Sequence, residues 1–278
     1  MVTTLQIKPA VHLQPFVSCY SMRIFDTGDF RMPRPLHAVN EYFMSFFLGE
    51  QLCEWESENG ILSSRSNSLT TLFTRTNGCS YWKGNYKIFF VQCKSNGLFA
   101  IFGIPQIELI NSVLPLDNFL GNDGNLLTEQ LAGCEDIYRM GEIMNLYLTN
   151  KLAVHKHKTH TMTIAGLTNK LLSHKGQMSL DKLCSYSNMS FRNFERRFTE
   201  EVGMLPKLFS RITRYYYAVE SKMLHPERSW TEIAYLNGYY DQAHFIKESR
   251  MFSDKSPEEL FNTTPPPDEK FIDLDGSK

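Results

Sequence analysis

Two segments in the second half of the chain place their apolar positions at helical spacing in one shared design. In SLDKLCSYSNMSFRNFERRF, which begins at Ser179, Leu180, Leu183 and Cys184 fall on one helix face. Asn188 stands where the chain needs a residue tolerant of positive φ, and Ser190 is placed to cap the helix that follows. Phe194 and Phe198 then point inward as an i, i+4 pair, which leaves Phe191, Arg192, Glu195 and Arg196 outward. In SWTEIAYLNGYYDQAHFIKESRMF, which begins at Ser229, Ser229 and Glu232 have capping-box spacing, and Ile233, Ala234 and Leu236 supply the apolar face. Gly238 is the turn residue, and Asp241 caps a helix whose exposed side carries Gln242, His244 and Lys247. Each segment therefore reads as a short helix, a tight turn and a second helix. Between them Leu205–His225 predicts one long helix, with Pro206 in its first turn and Phe209, Ile212, Tyr216, Val219 and Met223 near one stripe.

The first 95 residues carry a different period. Phe16–Phe25, Tyr42–Gly49, Leu69–Arg75 and Lys87–Lys94 are short apolar or alternating runs that predict strands, with turn-prone stretches at Asp26–Pro35, Glu56–Asn67 and Thr76–Asn85. From Gly97 the pattern turns helical: GLFAIFG, then PQIELINS opened by Pro105, LDNFLG, LLTEQLAG and a longer helix over Glu135–Lys151. Thr163–Lys175 predicts one more helix, with Ile164, Leu167 and Leu171 inward. The fold class is thus an α+β N-terminal domain, strands then helices, followed by an all-α domain with two helix-turn-helix units joined by a linking helix. The boundaries are residues 1–152 for the first domain, 153–162 for a linker, 163–262 for the second domain, and 263–278 for a proline-broken, charged tail expected to be unstructured.

Composition narrows the class. Apolar residues make up 42% and aromatics 13%, which suits packed cores and argues against general disorder. No run of about 18 apolar residues is present, so no membrane helix is expected. The opening MVTTLQIKPAVHLQPF lacks the pattern of a signal peptide. The 6 cysteines are scattered without CxxC or zinc-finger spacing, and a reduced, cytoplasmic protein is expected. The formal charge of −1 does not itself point to nucleic acid, but 7 basic residues lie within Arg192–Lys222, enough for one basic face.

Two helix-turn-helix units in tandem are a DNA-reading arrangement. Over its last hundred or so residues the chain resembles the DNA-binding domain of AraC/XylS-type transcription regulators. The resemblance is carried by GYYDQAHF (Gly238 to Phe245), Ser256-Pro257, RRFTEEVGMLPK (Arg196 to Lys207) and RITRYYYA (Arg211 to Ala218). Phe90–Leu131 is more weakly similar to the N-terminal domain of a subset of these regulators, through GLFAIFGIP, ELINSVLPLDNFLG and LTEQL. The resemblance implies a promoter-binding protein, most often an activator that assists RNA polymerase, with an N-terminal domain that senses an effector or makes a homodimer. It names neither effector nor operator. Its DNA-contacting positions correspond here to Arg192, Asn193, Glu195 and Arg196 in the first unit and to Gln242, His244 and Lys247 in the second. Arginines at the start of a recognition helix suit bidentate pairing with guanine. Lys247 stands where the family usually has arginine, which favours a phosphate contact. Arg211 and Arg214 are assigned to structure or to phosphates. Ser249 replaces a usual core phenylalanine and Asp254 a usual glycine. The first is expected to weaken packing, and the second to bring negative charge near the DNA side or to strain a turn.

Competing readings are bland ones. His155, His157 and His160 are close in sequence but flanked by lysines, with no carboxylate or cysteine in register, so a solvated linker is expected rather than a metal site. No GxSxG, HExxH or phosphate-binding glycine loop is present, and neither catalysis nor a cofactor is expected. A small-molecule-binding protein with a degenerate DNA domain is the alternative that Ser249 and Asp254 leave open.

Overall fold

The computed structural model describes residues 2–49, 51–57, 59–155, 159–263 and 269–275. In chain order the first domain contains β1 (Val2–Ile7), β2 (Val17–Asp26), β3 (Met32–Pro35), β4 (Tyr42–Phe47), β5 (Cys53–Glu56), β6 (Leu62–Arg65), β7 (Ser68–Thr70), β8 (Cys79–Trp82) and β9 (Asn85–Cys93). Then come α1 (Gly97–Phe102), β10 (Val113–Pro115), α2 (Leu116–Leu120), α3 (Asn122–Ala132) and α4 (Ile137–Val154). The second domain contains α5 (Thr159–Ser173), α6 (Leu180–Ser185), α7 (Phe191–Val202), α8 (Pro206–Leu224), α9 (Trp230–Leu236), α10 (Gln242–Ser253) and α11 (Pro257–Thr263). A last strand, β11 (Glu269–Asp273), follows.

Among the described residues the strands form two sheets, one in the order β10-β7-β4-β9-β2-β1-β11 and one in the order β3-β8-β5-β6. The alternation along β2, β4 and β9 separates the faces of the larger sheet. Tyr20, Met22, Met44, Phe46, Phe89 and Val91 pack toward the helices, where Met140 and Met144 of α4 meet them. Phe25, Phe47, Tyr86 and Ile88 turn the other way and, with Trp82, line the space between the two sheets. Three of the four strands read from the sequence are present, while of Leu69–Arg75 only the first two residues extend, at the end of β7. The stretches assigned to turns hold β3, β6 and β8 as well, because these are short four-residue strands whose alternation is too brief to read. PQIELINS forms only a 3-10 turn at Gln106–Glu108 before the chain extends into β10.

The two domains share one continuous apolar core. Two contacts define how they meet. The buried amide of Asn40 donates to the Thr213 hydroxyl of α8 at 3.3 Å, and the Ala38 N–H donates to the Phe252 carbonyl of α10 at 3.1 Å. Gly203, the left-handed C-cap of α7 at φ 86°, lies so close to Gln106 of the first domain that a Cβ there would stand 2.9 Å from its carbonyl oxygen. The contacts at Gly203 and Phe252 hold α7 and α10 at their C-terminal ends, and that at Thr213 holds α8.

The tail departs from expectation. Residues 269–273 are paired in parallel with β1 rather than unstructured, because β1 would otherwise present an open edge. The three-histidine stretch lies largely outside the described residues. No described helix is long and apolar enough to cross a membrane.

Candidate nucleic-acid interface

In the first helix-turn-helix unit, Ser179 caps α6 by accepting the Lys182 N–H at 3.4 Å, and Ser190 caps α7 by accepting the Asn193 N–H at 3.4 Å. Asn188 takes a φ of 54° at the turn between them, as its position in the sequence requires. Phe194, Phe198 and Phe209 meet edge to face at 5.7 and 5.6 Å, which fixes α7 against α8 and leaves its opposite side to solvent. On that side Arg192 and Arg196 are exposed, while Asn193 and Glu195 are half-buried. Arg196 is held in a definite pose: Nη2 donates to Asn193 Oδ1 at 3.0 Å, and Nη1 lies 3.6 Å from the Glu200 carboxylate. Asn193 thus holds the Arg196 guanidinium. Phe191, exposed at the first turn of α7, offers an apolar surface of the kind that meets a thymine methyl.

The second unit repeats the scheme. Ser229 accepts the Glu232 N–H at 3.2 Å, Gly238 adopts φ 72°, and Asp241 accepts the His244 N–H at 2.7 Å. Gln242 is oriented across the unit, its Oε1 accepting from the Thr231 hydroxyl of α9 at 2.7 Å. Lys247 is exposed one turn beyond His244, whose Nε2 stands 3.7 Å from the buried Glu248 carboxylate. Neither Thr231 nor Tyr240 had been singled out from the sequence. Tyr240, 85% exposed just before the cap of α10, has no core to fill, and its signal was a large aromatic between a turn glycine and a capping aspartate.

The arginines of the linking helix are tied to the second unit. Arg211 Nε donates to Glu248 at 2.7 Å, and Arg214 Nη1 donates to the Gly238 carbonyl at 3.2 Å while its guanidinium lies over the Tyr239 ring. The buried stripe of α8 is Phe209, Ile212, Tyr215 and Ala218. Tyr216 and Met223, expected in that stripe, are 38% and 46% exposed. Met223 instead reaches the first domain.

The two expected weaknesses fare differently. Ser249 is fully buried, with its hydroxyl donating to the Lys255 carbonyl at 2.8 Å, so it anchors the segment that leaves α10 instead of opening a hole. Asp254 occupies a left-handed conformation at φ 58°, the strained turn expected where a glycine is usual, and as the C-cap of α10 it stands at the end opposite Gln242 and His244. Its charge acts on His37 of the first domain. Burial, and then the Lys255 charge, pull the His37 imidazole down to about 4, against a smaller opposing effect of Asp254.

The first domain holds a cavity of about 470 Å³ between its two sheets. Its walls include Phe25, Phe47, Trp82 and Ile88, with Arg23, Arg34 and Arg65 among them and Met223 of α8 closing one side. Among the described residues no three His, Cys, Asp or Glu side chains stand together as a metal site.

A family model for a helix-turn-helix domain matches residues 183–263. No curated protein matches the chain. Among solved structures, the chain is similar to ToxT from Vibrio cholerae at 11% identity, with 89% of this chain and 99% of that one covered and a TM-score of 0.47. ToxT from Vibrio cholerae O395 gives 12% identity, 89% and 99% coverage and a TM-score of 0.47. ToxT of strain SCE256 with an unsaturated fatty acid bound gives 12%, 94% and 94%, and a TM-score of 0.40. At such scores no residue's role is carried from one chain to the other.

Proposed function

We propose that this chain, whose residues 183–263 match a helix-turn-helix domain, is a DNA-binding transcription regulator of the AraC/XylS type, and that α7 and α10 enter successive major grooves of one promoter site. The observation that carries this is the pairing of two capped helices, each with an exposed polar N-terminal half, on one rigid α8. At 1.5 Å per residue that helix is about 28 Å long, close to the ~34 Å of a duplex turn. Arg192 and Arg196 read bases from α7, with Asn193 and Glu195 orienting them or accepting from a base. Gln242 and His244 approach base edges from α10, and Lys247 holds a phosphate.

The reading domain spans residues 163–262, behind a linker at 153–162 and ahead of a tail at 263–278. The domain over 1–152 senses an effector. The cavity between its sheets supports that reading, since its apolar walls and interspersed arginines suit a small, mostly apolar molecule. Its contact with Met223 gives the effector a route to α8. A homodimer and assistance to RNA polymerase are implied by the resemblance alone.

Selection of duplexes from a random pool by the purified chain tests the main reading. One sequence should be enriched, with two half-sites about one turn apart, and affinity should fall steeply between about 50 and 200 mM salt as counterions are released. Equal retention of every duplex at low ionic strength would refute it.

A further inference from the structure

The larger sheet ends on a strand from the far end of the chain. β11 runs parallel to β1 in a register that pairs Val2 with Glu269 and Gln6 with Asp273. Beyond the strand the Leu274 N–H donates to the Gln6 carbonyl at 3.0 Å, and Asp275 Oδ2 accepts the Lys8 N–H at 2.7 Å. By the parity of that register the N–H groups of Thr4 and Gln6 face β11, and that of Ile272 faces Thr4. Without the tail these groups would form a bare sheet edge. Only residues 264–268 separate the strand from α11.

α11 belongs mechanically to the second head. Phe261 meets Trp230 of α9 edge-on at 5.1 Å, and the Lys255 ammonium reaches the Thr263 hydroxyl at 2.7 Å. Phe261 and Thr263 thus tie α11 to α9 and to the segment that leaves α10. The second attachment of that head to the first domain, Ala38 to Phe252, also lies at the C-terminal end of α10. Neither attachment covers Gln242, His244 or Lys247, so the tail does not block the reading face.

We propose that the outer edge of β1 is a strand-docking site whose occupant is this chain's own tail, and that its occupation braces the second head at the separation from the first that a two-groove site needs. This rests on the DNA reading above for its consequence, though not for the docking itself. A head already held in place loses less freedom on binding, and the brace supplies that order in advance.

The test compares the full chain, a chain ending at Thr263, Ile272→Pro and Ile272→Val. Proline removes the ladder N–H, whereas valine keeps it. Each is titrated with a duplex selected from a random pool by the full chain, and with the same duplex scrambled under the second head. The truncated chain and Ile272→Pro should bind the intact duplex about 5–10-fold more weakly than the full chain. Ile272→Val should match the full chain, and all four should bind the scrambled duplex alike. A synthetic peptide of residues 268–278 should slow hydrogen exchange at Thr4 and Gln6 of the truncated chain but leave its affinity reduced, because the peptide is not joined to α11; a peptide that restored affinity would overturn the brace. Unchanged or tighter binding after truncation overturns the brace. Thr4 and Gln6 amides that exchange as fast in the full chain as in the truncated one overturn the docking. Failure of the full chain to select any duplex would instead remove the DNA reading, with the exchange measurement still deciding the docking.

Discussion

The Arg211 guanidinium on α8 donates at 2.7 Å to the carboxylate of Glu248 on α10, whose side chain is only 4% exposed. This bond crosses from the linking helix to the second recognition helix, so it sets the angle between them. Removing the arginine leaves a buried carboxylate without its counter-charge. Since Arg211 is itself 30% exposed, water recovers part of the loss, and Arg211→Ala should cost about 2 kcal/mol. Denaturant titration reads the stability. Footprinting should show weakened protection under the second head at every sequence, without a change of base preference.

On α7 the opposite pattern is expected. Arg192 and Arg196 are exposed and anchor nothing in the core, so their alanine variants should melt as the parent does. Each should relax preference at one or two base pairs by about 1–3 kcal/mol. Asn193→Ala should reproduce part of the Arg196 effect, because it frees the guanidinium from its 3.0 Å restraint. Binding to a panel of single-base operator variants decides. If both arginine variants kept the parent's preference, the reading face would lie elsewhere.

Ser249 gives a prediction against the family pattern. Phenylalanine at this position would usually fill core, but here the serine is fully buried and its hydroxyl holds Lys255. Ser249→Phe should therefore destabilise the chain, by about 1–3 kcal/mol from overpacking. A raised melting temperature would show that the site has room.

His37 makes stability depend on pH. Its imidazole titrates at about 4 in the folded chain, below the ordinary 6.5, so the folded state favours the neutral ring. That contribution is fully present above pH ~6.5 and is lost as the pH falls from there toward about 4. Between pH 8 and pH 5 the parent should lose on the order of 1 kcal/mol more than His37→Leu, after allowance for the partial exposure of the residue. Parallel urea titrations of both at the two pH values measure the difference. Equal losses would mean that the ring is solvated.

The local elements of the reading domain were legible in the sequence because local chemistry makes them. Ser179, Ser190, Ser229 and Asp241 cap within three residues, and Asn188 and Gly238 take positive φ where a turn demands it. Each such choice is settled by a residue and its near neighbours, so the pattern of apolar and polar positions suffices. The outward placement of Arg192 and Arg196 follows from the inward placement of Phe194 and Phe198 by helix geometry alone.

Tertiary structure decided whatever depends on partners distant in sequence. Ser249 read as a defect because the group that gives it work, the Lys255 carbonyl beyond the end of α10, is not visible to a helical period. The stripe of α8 shifted toward Tyr215 for the same reason, since Met223 faces a cavity built by the other domain. The tail read as unstructured because a five-residue strand has no signal of its own and exists only where an edge more than 260 residues away supplies its hydrogen bonds. Pairing of that kind is a property of the assembled sheet, which no window of sequence contains.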